Sequence, residues 1–392
     1  MYVSPDESIT KTEGNNTMVT PSNVSSDDTQ VVEPDTGYHT LDRVNVKGAK
    51  EDYVHRLRDL SFGYNHDAKS YMVILPNNGR PVLSNKRFTT DLLTEIGGNG
   101  LVRYGRMLHS TGQLDLLLKN VHEQLDRSDK KMLIRTKQRT DIESVLPTFE
   151  ARALLSTKYK RLDNDVLFPL IDDVLEQLDF KMKFLGGRND GVITHARFIS
   201  EEAVYEKGDR KMYLGFQVRT SEVGASGLYI EFFICDAYCD NGMVFGRQDL
   251  ELGEFYMKHL GRAVIGTGLK PQRQPRYEDI RNIQRHLFRM FQLDNIQMIR
   301  NMLELSFERT FDGDAGDIID KFGRHYSLSK EEIDLAKEEF KPHERHAYGI
   351  QAAFTAAAQR VETFDRRAEL DRIGGRIVEQ TEDQWNKLVL AA

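Results

Sequence analysis

Five short apolar runs between residues 180 and 245 constrain this chain more than any other feature. Gly, Asp or Asn separates each run from the next. Short runs at this spacing, with turn residues between them, are typical of consecutive antiparallel strands. The sequence therefore predicts an antiparallel sheet in the middle of the chain. The five predicted strands are 181–185, 192–199, 212–219, 227–234 and 238–245.

Helical patterns follow the predicted sheet. We expect a long helix at 277–310, a second at 329–340 with a Ser329–Glu332 capping box, and an Ala-rich third at 343–373. A short helix is expected at 49–60. The predicted fold class is α+β, with an antiparallel β-sheet core, a helical C-terminal half and a disordered N-terminal tail.

Another helix is expected to follow Asp163. Pro169 cannot donate the backbone hydrogen bond of a helix interior. We therefore expect this helix to begin late enough that Pro169 occupies its first turn.

The predicted tail differs from the rest of the chain in charge. Residues 1–36 hold one Lys and seven acids, a net −6 out of the chain's −7, and they are rich in Ser, Thr, Asn and Pro. Such a segment buries too little apolar surface to offset the entropy of ordering it. We predict a disordered acidic tail at 1–45, an α+β domain with the antiparallel sheet at 46–275, and a helical region at 276–392 that packs on the same core.

Cysteine content and hydropathy bear on the compartment. Only Cys235 and Cys239 occur, which excludes a disulfide framework and fits a reducing environment. No run approaches the ~18 apolar residues of a membrane helix, and no secretory signal pattern opens the chain. We expect a cytoplasmic protein without membrane contact.

No motif for catalysis, a cofactor or a metal emerges. The two cysteines lack the second pair of ligands that a structural zinc site needs. His343 and His346 are three residues apart, whereas a metalloprotease helix places its histidines four apart. We therefore expect neither a metal nor a cofactor, and a binding protein fits better than an enzyme.

Basic residues are concentrated in two segments. Residues 257–300 hold nine Lys or Arg and three acids, and the strand-like segment 131–139 holds a second group. Arg281, Arg285 and Arg289 are four apart, so they share one helix face in steps of ~6 Å that can follow phosphates. Pairing with local acids is the open alternative. The predicted nucleic-acid-binding residues are Lys130, Lys131, Arg135, Lys137, Arg139, Lys270, Arg273, Arg276, Arg281, Arg285 and Arg289.

Four passages resemble a family known as the phage/plasmid-like proteins, a domain of unknown function found in phages, plasmids and prophages. The passages are 150–165 (EARALLSTKYKRLDND), 215–224 (GFQVRTSEVG), 239–243 (CDNGM) and 348–355 (YGIQAAFT). Thr220 stands where the family usually has Asn. The resemblance covers roughly residues 70–370 and implies a bacterial host cytoplasm, but it implies no reaction.

The resemblance implies DNA metabolism and favours an accessory protein that binds or anneals single-stranded DNA in replication or recombination. Such a protein grips phosphates with Lys and Arg and stacks bases on aromatic rings. Homo-oligomers are compatible with this function. The candidate rings are Tyr213, Tyr229, Phe232 and Phe233.

Two further hypotheses stay open. A non-enzymatic interaction protein would bind and modulate a host factor through the acidic tail and the C-terminal helices. A metal-dependent nuclease would use Glu222, Asp236 and Asp240, and this hypothesis ranks last because no ligand motif supports it.

Overall fold

The computed structural model describes residues 30–32, 48–76, 79–140, 147–236, 241–245, 255–257, 268–270, 277–361 and 364–389. These residues form two largely antiparallel sheets and ten α-helices. The predicted α+β class and helical C-terminal half are confirmed. No helix among the described residues is long and apolar enough to cross a bilayer.

The predicted tail lies outside the described residues except for one strand. Strand β1, Gln30–Val32, pairs antiparallel with Gly187–Asn189 of the central sheet. This pairing is the one part of 1–45 that the structure describes.

The N-terminal sheet contains six strands from the first 160 residues. They are β2 (Lys50–Arg56), β3 (Ser61–Asn65), β4 (Ser70–Leu75), β5 (Arg80–Ser84), β6 (Lys131–Gln138) and β7 (Phe149–Ser156). Their spatial order is β2-β6-β7-β5-β4-β3, and the β5–β7 pair is parallel. The helix expected at 49–60 is therefore wrong: β2 lies there, because Tyr53 and Val54 are buried on opposite faces and pair with β6.

Two helices cover one face of the N-terminal sheet. They are α1 (Lys86–Ser110) and α2 (Leu114–Asp126). The buried face of α2 carries Leu117, Val121 and Leu125, four residues apart as a helix requires. Because Tyr53 packs into this core, the even-numbered residues of β2 point to the opposite face of the sheet.

The central sheet is built mostly from the strands predicted between 181 and 245. They are β8 (Met182–Asn189), β9 (Thr194–Ser200), β10 (Tyr205–Lys207), β11 (Arg210–Thr220), β12 (Leu228–Asp236), β13 (Asn241–Phe245) and β14 (Phe255–Met257). Every pairing in this sheet is antiparallel. Strand β15 (Gly268–Lys270) then returns to β2 at the edge of the N-terminal sheet.

Helix α3, Asn164–Leu175, precedes the central sheet, and it begins earlier than expected. Pro169 lies inside the helix rather than in its first turn. Asp163 occupies the N-cap position, yet its side chain makes no capping hydrogen bond. The reason is that its carboxylate binds Arg135 of β6 instead.

The helix expected at 277–310 is two helices, α4 (Tyr277–Met290) and α5 (Leu293–Glu308). Both pack on the core of the central sheet through residues such as Ile283, Leu287 and Leu303.

The remaining helices surround a separate core that includes Phe322, Phe354 and Trp385. They are α6 (Ala315–His325), α7 (Lys330–Glu339), α8 (Ala347–Gln359), α9 (Phe364–Val378) and α10 (Glu382–Val389). The Ser329–Glu332 capping box opens α7 as expected. The single helix expected at 343–373 is α8 followed by α9.

Helix α9 approaches the central sheet at Gly375. A Cβ atom there would lie 1.9 Å from the carbonyl oxygen of Val244 in β13. We expect Gly375→Ala to lower the free energy of unfolding by about 2–3 kcal/mol, because helix and strand must separate. Gly100→Ala in α1 is the control, since Gly100 is exposed and its Cβ would meet nothing within 4 Å; it should change the free energy by less than about 0.5 kcal/mol. Urea unfolding measures both, and equal effects would contradict the close approach.

Candidate nucleic-acid interface

The sheet face that α1 and α2 leave uncovered carries buried charges. Arg135 in β6 has no exposed surface. Its guanidinium donates to both oxygens of Asp163 at 2.6 and 2.8 Å, and to Asp52 of β2 at 3.2 Å. Arg161 binds the other oxygen of Asp52 at 2.5 Å. Arg135 is therefore a structural cation and does not belong to a phosphate-binding row.

Glu222, in the turn after β11, connects these charges to the central sheet. Its carboxylate accepts from Lys50 at 2.7 Å, from Arg152 at 2.5 Å and from the backbone N–H of Asn164 at 2.9 Å. The bond to Asn164 supplies the N-terminal cap of α3 that Asp163 does not give. The carbonyl of Glu222 also accepts from Arg135. We call Lys50, Asp52, Arg135, Arg152, Arg161, Asp163 and Glu222 the ion network.

A β-bulge turns Arg152 into the ion network. Arg135 pairs with Ala153 while the next residue, Thr136, pairs with Ala151, so Arg152 is the extra residue of β7. A bulge redirects a side chain out of the alternation of its strand. Among the described residues, Nε and Nη2 of Arg152 have no hydrogen-bond partner, whereas Nη1 donates to Glu222, which is therefore the acid in direct contact with this buried cation.

The carboxylates of Asp163 and Glu222 stay ionised. Burial by itself raises the pKa of Asp163, but Arg135, Arg152 and Lys50 outweigh it and hold that pKa well below its usual range. The pKa of Glu222 is also lowered: burial raises it, and Arg152 and Lys50 lower it more. Four cations face three buried acids, and Asp165 at the rim lies 3.6 Å from Lys50. The network is therefore close to neutral.

The same acids form the one group of possible metal ligands in the described part of the chain. Oxygens of Asp163, Asp165 and Glu222 lie within 4.8 Å of one another. A divalent cation would have to displace Arg135 from Asp163, and Lys50 and Arg152 from Glu222. Because those cations already neutralise the carboxylates, the arrangement fits an ion-pair network better than a metal site.

The residues of the hypothetical nuclease do not converge. Asp236 pairs with Met212 at one end of the β11–β12 hairpin, whereas Glu222 follows Thr220 at the other end. Asp236 accepts from Tyr348 at 2.8 Å and binds Arg210. Asp240 lies outside the described residues. Nothing in this geometry brings Glu222 and Asp236 to one site.

The other basic residues of the strand-like segment are dispersed. Lys130 is exposed and forms an ion pair with Glu95 at 2.5 Å, and Lys137 lies 3.5 Å from Glu150. Lys131 and Arg139 are half-buried. With Arg135 buried, the described residues of this segment form no continuous basic surface.

Helix α4 places its predicted arginines together. Arg281, Arg285 and Arg289 are exposed, while Ile283 and Leu287 on the opposite side are buried in the central core. No acid occurs between residues 280 and 293. The predicted residues Arg273 and Arg276 lie outside the described residues, and for Lys270 only the backbone, in β15, is described.

The start of α4 and its one histidine have structural roles. Asp279 forms an ion pair with Lys160, which anchors the first turn. Burial lowers the pKa of His286 to about 4, with a smaller effect of Arg289 in the same direction, while a backbone hydrogen bond at Ile230 opposes both. His286 is therefore neutral near pH 7, and the charge of the exposed face comes from the arginines.

Aromatic side chains near the arginines differ from those predicted. Phe232 and Phe233 are buried in the sheet, and Tyr213 is half-buried against a small core cluster. Phe232 and Phe233 therefore offer no open stacking surface. Phe288, next to Arg289, is 36% exposed, and Leu293 at the start of α5 is 82% exposed.

No protein-family model matches this chain, and neither a curated protein nor a solved structure is significantly similar to it. The resemblance to the phage/plasmid-like family therefore stays a prediction. Arg152, Asp163 and Glu222 belong to the passages that carry the resemblance, and all three lie in the ion network. Those passages thus contribute to the fold of this chain.

Loss of the Glu222 charge should destabilise the fold. We expect Glu222→Gln to lower the free energy of unfolding by about 3 kcal/mol, because Arg152 then stays buried without an ion-pair partner and Lys50 keeps only Asp165 at the rim. Glu123→Gln, an exposed acid on α2, is the matched control and should change it by less than about 0.5 kcal/mol. Urea denaturation followed by circular dichroism compares them. A Glu222 variant as stable as the control would show that the ion network contributes nothing.

His286 should make the stability of the fold depend on pH. Its pKa in the folded chain is about 4, below its ordinary value of 6.5, so the neutral ring stabilises the fold above pH 6.5 and this contribution is lost as the pH falls towards 4. We expect wild type to lose about 1–3 kcal/mol more than His286→Gln over that window. Parallel pH profiles of the two proteins would contradict the buried, neutral ring.

Proposed function

We propose that this chain binds nucleic acid through the exposed face of α4, with single-stranded DNA as the favoured ligand. The observation that carries the proposal is the line of Arg281, Arg285 and Arg289 on one exposed helix face with no acid between them. Guanidiniums spaced by one helical turn can each contact a phosphate along a strand. The opposite, apolar side of α4 is buried in the central core, so the helix holds the three arginines in a fixed row.

Exposed apolar groups beside the row favour a single strand over a duplex. Phe288 lies three residues after Arg285, so it is a neighbour of that arginine on the helix surface. Unstacked bases offer flat apolar faces that aromatic rings bind, whereas a duplex keeps those faces inside its stack. Together with the resemblance to phage and plasmid proteins, this supports an accessory role in replication or recombination.

An interaction protein that modulates a host factor is the second candidate. It is favoured by Tyr104 and Met107 of α1 and Leu116 of α2, which are large apolar side chains with 38–50% of their surface exposed. Exposed apolar side chains on neighbouring helices are typical of protein contact surfaces. This candidate needs no arginine of α4.

Fluorescence anisotropy with labelled single-stranded and duplex DNA tests the proposal. Replacing Arg281, Arg285 and Arg289 by Gln should weaken binding at least about tenfold at low salt. It should also reduce the slope of log K against log salt concentration by about 2, because about 0.7 of a counterion is released for each of the three phosphates contacted. The matched set for the same charge change is Arg103 of α1, Lys119 of α2 and Arg127 directly after α2, all of them exposed.

Three outcomes would count against the proposal. Absence of binding at low salt would remove nucleic acid as a ligand, since surface electrostatics are strongest there. Equal losses in the two triple variants would show that α4 has no special role. A separate variant, Phe288→Leu, tests the preference for a single strand. If it weakens binding of single-stranded and duplex DNA equally, Phe288 does not contribute to that preference.

A further inference from the structure

A cavity of about 470 Å³ lies between the edge of the N-terminal sheet and α1. Its walls come from three places: the β3–β4 hairpin, the segment where β5 leads into the first turns of α1, and the second half of α1. This volume is in the range of pockets that hold small ligands. The cavity shares no residue with α4, so a ligand bound there is independent of the proposed function.

Three aromatic rings form one wall. Tyr64 and Tyr71 are cross-strand partners on β3 and β4, with ring centroids 5.3 Å apart. His109 of α1 packs against both, at 5.8 and 5.6 Å, and its Nδ1 lies 2.8 Å from the hydroxyl of Tyr71. The hydrogen bond and the edge contacts hold the rings in place, so the aromatic wall is preformed.

Cations line the rest of the rim. Lys69 precedes β4, Lys86 opens α1, and Arg106 lies one turn before Ser110 at the end of α1. All three are exposed, and none forms an ion pair with a described residue. No acid is among the described residues that line the cavity. The rim is therefore a region of uncompensated positive charge beside aromatic rings.

Lys69 has a backbone conformation that is rare for a residue other than Gly. Its φ of 48° is in the left-handed region, which residues other than Gly seldom adopt. The turn is held by Asn65, whose side chain accepts from the N–H of Ala68 at 2.8 Å. Strained residues of this kind concentrate at binding sites. Here the strain places a lysine at the mouth of the cavity.

We propose that this cavity binds a nucleotide, with the base against Tyr64 and Tyr71 and the phosphate between Lys69, Lys86 and Arg106. An aromatic wall selects a flat ring, and a cationic rim without acids selects an anion attached to it. The hydroxyls of Ser84, Thr89 and Thr90 add polar groups to the lining. The nucleotide is either free or the 5′-phosphorylated end of a strand, which share this chemistry.

Isothermal titration of the full chain with dAMP, deoxyadenosine and inorganic phosphate tests the cavity. We expect dAMP to bind at least about tenfold more tightly than either part, because only dAMP meets both the rings and the cations. The double variant Lys86→Gln/Arg106→Gln should lose about tenfold in dAMP affinity, and Arg103→Gln/Lys119→Gln, an equal charge change on α1 and α2, should lose less than about twofold. Tyr64→Leu should weaken dAMP and leave phosphate unchanged.

A short single strand with and without a 5′-phosphate identifies the source of the nucleotide. If the phosphate strengthens binding and the Lys86/Arg106 variant removes that gain, the ligand is a strand end. If only dAMP responds to that variant, the ligand is a free nucleotide. The proposal is overturned if dAMP does not bind at about 10 mM, or if the cavity variant and its control behave alike. We expect substitution of the α4 arginines to leave dAMP binding unchanged, because no residue of α4 lines the cavity. The outcome for the cavity is therefore independent of the outcome for the proposed function.

Discussion

The bidentate contact between Arg135 and Asp163 is the interaction on which the rest of the structure depends. A buried guanidinium is tolerated only when carboxylates compensate it, and Arg135 draws on Asp52 and Asp163 at once. Those contacts, extended by Glu222, join the N-terminal sheet to the turn after β11 and start α3. Removing one charge leaves another buried and uncompensated. The ion network therefore fixes how the two sheets meet, and it uses acids that would otherwise resemble a metal site.

The sequence predicted the features that depend on neighbouring residues. The central strands follow from short apolar runs between turn residues, and the cap of α7 follows from Ser329 and Glu332 three residues apart. The helix at 49–60 was wrong because both faces of β2 are buried, which removes the alternation that marks a strand. Arg135 was wrong for a different reason. Its partners Asp52 and Asp163 are 83 and 28 residues away, and no local pattern shows that distant acids will enclose a cation.

The two candidate sites also differ in how far the sequence alone could predict them. The arginine face of α4 was predictable because its residues are four apart on one amphipathic helix. The cavity was not, because Tyr64, Lys86 and His109 become neighbours only when the β3–β4 hairpin packs on α1. The one local feature of the sequence that could have indicated the cavity is Lys69, which lies in the tight turn before Tyr71. Each charged group of the chain must therefore be judged by its surroundings in the fold, and on that basis the exposed cations of α4 and of the cavity rim are better placed to meet a ligand than those of β6.

In the proposed complex α4, and not the basic residues of β6, contacts a nucleic-acid strand. Photocrosslinking of a single strand containing 4-thiothymidine, followed by mass spectrometry of the crosslinked peptides, tests this assignment most directly. We expect crosslinks within residues 281–293, with Phe288 among the labelled positions, and none at Arg135, which has no exposed surface. Crosslinks concentrated on β6, with α4 unlabelled, would contradict it.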